Sequence, residues 1–391
     1  MVKRSLASVA RPLANLRVPS LSARQFSSTP AYGLSAIFSK TENTELNDVL
    51  GEIQEKIILP AYLPKKQQKL IFDPKMRSFI QQNPVVIELD GLEHKFTTID
   101  RFKEIPNSKK ALTDALNLMK TKEDWDNLGT LLAGYKKAAI RLQNYHYDKI
   151  IRKAGQSKQT YAIIECAMQS NKTGLRFARK NHLVLLLASI NNKITSPSGE
   201  ANESAQALRW IELVLDLVQR PEHKTKQPGA TERLHKSPVV QGLLLYARAS
   251  SIKAQQAAES SEEVDVQALK DNVESITSSW TRLGTDDLLN SPVLADLNPR
   301  SPFTKENEKK NDHLAVNFYI LTLAQNIKGM ELAQEILGDA AKDLTPIRDA
   351  LEQHLKEFVE ADERYLERWA ETYTLTTGRE PQWSVEAKAE A

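Results

Sequence analysis

With 391 residues and 41% hydrophobic content, the chain can bury a core the size of one large or two ordinary domains, which excludes wholesale disorder. Its formal charge of +3 comes from the first 26 residues, where Lys3, Arg4, Arg11, Arg17 and Arg24 precede the first acid, Glu42; the remainder carries 48 basic against 50 acidic side chains. The single cysteine, Cys166, excludes an internal disulfide and a Cys-based zinc site, and no apolar run approaches the roughly 18–20 residues of a membrane span, LVLLLASI included.

Residues 1–26 are Arg-spaced, free of acids and rich in Ser, Ala and Leu, the composition of a mitochondrial presequence. Arg24-Gln-Phe-Ser-Ser-Thr29 resembles the matrix-peptidase pattern, which puts the new N-terminus near Ser27, or about Ser35 after a further octapeptide trim. The expected location is the mitochondrial matrix.

Residues 27–105 read as an N-terminal extension. Leu46, Val49, Leu50, Ile53 and Ile57 have helical spacing from Thr44 to Leu59, and Pro60 stops the run. Prolines 64 and 74 with five basic residues between 61 and 83 predict an extended basic connector. Next, Pro84 to Arg101 holds two alternating β-branched runs around Asp90-Gly91, the signature of a two-residue type I′ hairpin turn. Two strands alone are marginal in water, so the hairpin must pack on the following helices or on a partner.

Residues 106–283 predict an array of helical hairpins. Thr121 reads as an N-cap with an acid at Asp124, ahead of one apolar face formed by Trp125, Leu128, Leu131, Leu132, Tyr135, Ala139 and Leu142. Helices follow at Tyr145–Gly155, with Gly155 suited to a left-handed C-terminal position, and at Lys158–Ser170, Gly174–Ile190 and Glu203–Gln219. The loops ITSPSGEAN and Pro221–Lys236 are polar; Ser237-Pro238 then opens a helix at Val239–Ala254, and AAESSEE separates it from another at Val264–Leu283. Residues 284–312 read as a linker, and 313–373 as C-terminal helices at His313–Gln325, Gly329–Leu337 and one long helix, Pro346–Tyr373, capped by Thr345. Its stripe is Ile347, Leu351, Leu355, Phe358, Tyr365, Leu366 and Trp369, and residues 374–391 are expected to be a flexible tail. The fold class is therefore mainly α, a helical-hairpin array with one N-terminal β-hairpin.

Charge is divided along the chain. Residues 61–190 carry 23 basic against 12 acidic side chains, and residues 255–391 carry 14 against 27, so two faces with different partners are expected. Lys136, Lys137, Arg141, Lys149, Arg152, Lys153, Arg176, Arg179 and Lys180 are the candidate RNA contacts, because phosphates attract such a stripe through counterion release. Tyr145 and Tyr147 lie among them and suit base stacking, although for both, and for Trp125, core packing is the expected role. His146, Cys166 and His182 fall in separate helices without ligand spacing, so no metal or other cofactor is expected. No phosphate loop, nucleophile elbow or His-Glu-x-x-His sequence occurs, and the chain is not expected to be an enzyme.

YDKIIRKAGQSKQTYAIIECAMQSNKTGL resembles the pentatricopeptide-repeat family of organellar RNA-associated proteins: a Tyr-led helix, a Lys-Ala-Gly turn, a second helix ending Cys-Ala-Met and a Lys-Thr-Gly-Leu exit. The period lapses after Ile190, so no base-reading residues carry over, and the wider tetratricopeptide-like class fits equally. The presequence, basic extension, hairpin and loosely repeated helices together resemble accessory subunits of fungal mitochondrial ribosomes. That resemblance implies a structural role, docking on ribosomal RNA and on ribosomal proteins; the alternatives are a free pentatricopeptide-like factor acting on a mitochondrial transcript and an uncharacterised matrix enzyme.

Overall fold

The computed structural model describes residues 35–194, 201–224, 233–258, 265–285, 288, 291–301, 313–361, 366–381 and 383; the presequence, most of the loop ITSPSGEAN and most of AAESSEE lie outside them. Helix α1, Thr44–Ile53, is capped by Asn43, whose side chain accepts from Leu46 N. The chain does not stop at Pro60. It runs on through one π turn, Gln54–Ile58, and a 3-10 turn, Leu59–Tyr62, where proline sits in the first turn and its missing N–H costs nothing.

The connector at 61–83 is helical, a correction to the extended reading. Helix α2, Lys65–Ile71, begins directly after Pro64, and Pro74 opens a short 3-10 turn before α3, Arg77–Gln82. Both prolines start helical turns instead of breaking them. The hairpin follows as expected: β1, Val85–Leu89, pairs antiparallel with β2, Leu92–Phe96, in the register Val85 to Phe96, and Asp90 and Gly91 take φ of 50° and 78°. It packs on the preceding helices, because Leu59, Leu63, Ile71, Ile80, Val85 and Phe96 form a small hydrophobic core of their own.

The main core runs from Leu46 to Trp383. Helix α4, Ser108–Leu118, packs on α1 and leads to α5, Lys122–Asp126, where Thr121 and Asp124 make the expected capping box. Then come α6, Leu128–Lys137; α7, Asn144–Gln156; α8, Thr160–Met168; and the short α9, Ser170–Thr173. Helix α6 ends before Leu142, with Ala139 left-handed at φ 58°. Gly155 stays inside α7 and Lys158 takes the left-handed position instead; a Cβ on Gly155 would lie 2.7 Å from Ser189 Oγ, so its use is close approach. Gly174, left-handed at φ 80°, ends α9, and the next helix starts later than expected, as α10, Lys180–Asn191.

Every residue of α10 is buried, and α12, Pro238–Ala257, and α15, Val316–Leu337, are buried along most of their length. Such all-round burial is the property of central helices. Helix α11, Ala201–Gln219, and α13, Val266–Leu283, flank them. The residues expected to link two regions instead supply core: α14, Pro292–Ala295, buries Val293 and Leu294, and Leu297 follows. Where two helices are expected at 313–337, α15 is one, because Gly329 lies within it as a close-packing site against α12.

The long C-terminal helix is two, α16, Thr345–Glu360, and α17, Leu366–Thr377. Phe358 of α16 and Trp369 of α17 meet, with ring centroids 6.5 Å apart; Tyr365 and the Leu366 side chain lie outside the described residues. Thr345 begins α16, and Leu344 holds the cap position. Residues 374–381 and Trp383 are not a loose tail: Arg379 pairs with Glu331 at 2.7 Å and with Glu352, and Trp383 is buried against Tyr373. Among the described residues no helix is long and apolar enough to cross a membrane.

Candidate nucleic-acid interface

The nine candidate cations do not form one stripe. Helix α7 turns His146, Ile150, Ile151 and Ala154 inward, which leaves Tyr145 exposed and Lys149, Arg152 and Lys153 half-buried at its flank. Lys149 Nζ donates to Thr113 Oγ1 on α4 at 3.3 Å. Arg152 Nε is buried without a hydrogen-bond partner among the described residues, whereas Lys153 is half-buried. Lys109, near the start of α4, joins this group. Burial holds the His146 ring below its usual pKa of 6.5, and the charges of Lys109 and Lys149 push it further down; its Nδ1 accepts from Gln143 N at 3.0 Å.

A second group surrounds the C-terminal end of α6. Lys136 Nζ donates to the carbonyls of Asn171 at 2.5 Å and Ser170 at 3.4 Å, serving the last turn of α9 where the helix dipole favours a cation. Burial and then the charge of Arg176 lower its pKa. Lys137 Nζ stands 5.1 Å over the Tyr62 ring, and Arg141 is exposed beyond the helix end. Arg176 is half-buried in the segment between α9 and α10, as is Arg179. Lys180 is buried, 6% exposed, and pairs with Asp296 at 3.7 Å, so it offers no surface charge.

The aromatic residues divide as well. Trp125 is core at 1% exposure and Tyr147 is half-buried, but Tyr145 is 54% exposed, its ring against His146 at 3.9 Å, a correction to the core role expected of it. The remaining metal candidates have structural occupations. His182 Nε2 faces Asp148 at 3.2 Å, and burial pushes the Cys166 thiol well up. Among the described residues no group of three His, Cys, Asp or Glu is placed to hold a metal. Sequence reasoning passed over Lys109 and Lys110; their position at the head of an amphipathic helix was the available signal.

His223 ties the basic segment to the core. Its Nδ1 accepts from Phe177 N at 3.1 Å, its ring stacks on Phe177, and the carbonyl of Ala167 is a second partner. Burial depresses its pKa below 6.5. The unfolded chain therefore binds this proton first as pH falls, so its stabilisation is complete above about pH 6.5 and is lost as pH drops through the lower folded value. The melting temperature should be lower at pH 5.5 than at 7.5, and His223→Gln should narrow that difference. An unaltered difference in the variant would remove His223 as its source.

The described surface thus offers exposed Lys109 and Lys110 on α4 beside half-buried cations and an exposed tyrosine on α7, and a second group at the end of α6 in which Lys136, Lys137 and Arg141 are exposed. Against known proteins, the family model Mrp13, mitochondrial ribosomal protein mS27, matches residues 24–379. The small ribosomal subunit protein mS27 of Neurospora crassa is 30% identical over 202 residues, which are 51% of this chain and 51% of that protein, so the chain spans about half the length of this curated relative. Because the family model covers most of the sequence, the chain belongs to the mitochondrial ribosomal protein mS27 family.

Proposed function

We propose that this chain is a structural subunit of the mitochondrial ribosome, imported into the matrix and built into the small ribosomal subunit. The observation that carries the reading is the family match across residues 24–379, joined to the small-subunit name of the Neurospora crassa relative. Ribosomal RNA is the partner of the basic side chains: Lys109, Lys149, Arg152 and Lys153 on α4 and α7 form one group, and Arg141 and Arg176 belong to the second, near the end of α6. The acidic C-terminal half, with Glu357 and Glu360 exposed on α16, meets neighbouring basic proteins. No chemistry is assigned to the chain.

Helix stacking supports the helical-hairpin repeat class, pentatricopeptide-like or tetratricopeptide-like. Helices α7, α10, α12 and α15 pack in succession while α8 packs on α11, the arrangement of hairpins laid side by side. The reading is tested by sedimenting a mitochondrial extract on density gradients at low and high salt. The chain should travel with the small subunit and remain with it at high salt. Its recovery at the top of both gradients would end the subunit reading.

A further inference from the structure

Phe102 is 96% exposed, the most exposed large apolar side chain among the described residues. It does not sit on a loose segment. Before it, Ile99 N donates to Ile71 O at 2.7 Å and the buried Thr98 accepts from Arg77 Nε at 3.3 Å; after it, Ile105 packs against the main core. Between these anchors Asp100 Oδ1 accepts from Phe102 N at 2.9 Å and Lys103 N at 3.3 Å, Glu104 N donates to Asp100 O at 2.9 Å, and Asp100 N donates to Glu104 Oε2 at 3.3 Å. Arg101 lies over the Phe72 ring at 5.4 Å. A hydrophobic core ends a few residues away, yet the closed turn aims the ring at solvent.

The surroundings select the occupant. Asp100, Arg101, Lys103 and Glu104 are all charged, so seating Phe102 in an apolar protein pocket would strip water from four ions. Stacking on an unpaired base uses only the ring faces and leaves those ions wet. The two carboxylates are bound to N–H groups of the turn itself, while Lys103 projects from it, exposed. Lys109 follows Phe102 by seven chain steps, at most about 25 Å, and Lys109 and Lys110 are exposed at the start of α4, which packs on α7 with its exposed Tyr145. Aromatic rings spaced among cations are the physical basis of single-strand binding.

We propose that the Asp100–Glu104 turn is a preformed stacking finger, in which Phe102 packs on an unpaired base of single-stranded RNA beside the basic edge of α4 and α7. This rests on the RNA-docking reading above, and the test separates the two. The full chain and its Phe102→Ala, Phe102→Leu and Phe102→Trp variants are titrated with a labelled single-stranded RNA and with the same sequence closed into a duplex. None of the substitutions removes core packing, and matching melting temperatures verify that. Alanine and leucine should each weaken single-strand binding roughly five- to a hundredfold, the range of one base–aromatic stack. Tryptophan should restore it with emission quenched by RNA, and duplex binding should stay constant. Wild-type affinity in the alanine or leucine variant would overturn the stacking finger. So would unchanged RNA affinity in Phe102→Ala combined with lost capture by nuclease-treated ribosomal proteins, which would assign Phe102 to a protein pocket. Loss of RNA binding in Lys149→Glu/Lys153→Glu but not in Phe102→Ala would end the finger alone; no loss in either would end the RNA-docking reading as well.

Discussion

Gly329→Ala should lower the stability of the folded chain by about 2–3 kcal/mol, through overpacking of a filled interior. A Cβ at Gly329 would lie 2.7 Å from the backbone N of Tyr246 and 2.9 Å from its Cα, and backbone in the middle of α12 has nowhere to retreat. The contact is reciprocal: a Cβ at Gly242 on α12 would collide with Asn326 Oδ1 of α15. There the obstacle is a side chain, so Gly242→Ala should cost less, about 1–2 kcal/mol, as Asn326 turns away and gives up its bond to Thr322 O at 2.8 Å. Gly51 inside α1 supplies the opposite sign, since nothing lies within 4 Å of its added Cβ. Gly51→Ala should stabilise by about 0.5–1 kcal/mol through helix propensity. Denaturant melts of the three variants check the set, and a neutral Gly329→Ala would mean that α12 and α15 do not cross so closely.

Reversing Lys109, Lys149 and Lys153 together to Glu should weaken RNA association on the order of tenfold or more at moderate salt. It should also flatten the slope of log affinity against log salt by about two to three, near one per lost phosphate contact. Lys109 is exposed, whereas Lys149 and Lys153 are half-buried and Lys149 gives up its bond to Thr113 Oγ1, so the melting temperature of the triple variant is measured beside its affinity. Lys136 and Lys137 are poorer probes, because one holds the last carbonyls of α9 and the other covers Tyr62; reversing them disturbs packing along with charge. Lys180→Met is the matching control. It breaks the pair with Asp296 and should lower the melting temperature while leaving the salt slope alone. Fluorescence anisotropy across a salt series reads all three cases, and an unchanged slope in the triple variant would reduce the edge to a solvated helix face.

Local rules carried the sequence reading where one residue's chemistry settles the backbone. Asp90-Gly91 fixed the hairpin turn because both positions need positive φ, and Thr121 with Asp124 fixed the start of α5 because cap and acid satisfy each other's donors. Apolar spacing made the helical class plain, and the acid-free first 26 residues pointed to mitochondria, where the family match also leads. Nothing local distinguishes a proline that breaks a helix from one that begins the next, so Pro60, Pro64 and Pro74 were misread until the small core of Leu63, Ile71 and Ile80 gave their turns something to pack on. Glycine has the same ambiguity: Gly155 and Gly329 look like helix ends in sequence, and become close-approach sites only when Ser189 and Tyr246 arrive from helices far along the chain. Charge divides likewise. Composition put a basic region between 61 and 190, but only tertiary packing decided that Lys180 would be buried against Asp296 while Lys153 stayed near water, and that Phe102 would face out. The sequence by itself determined periodicity, caps and net charge, each a property of neighbours along the chain. Which side of each helix meets water depends on partners dozens of residues away, and the fold had to supply that.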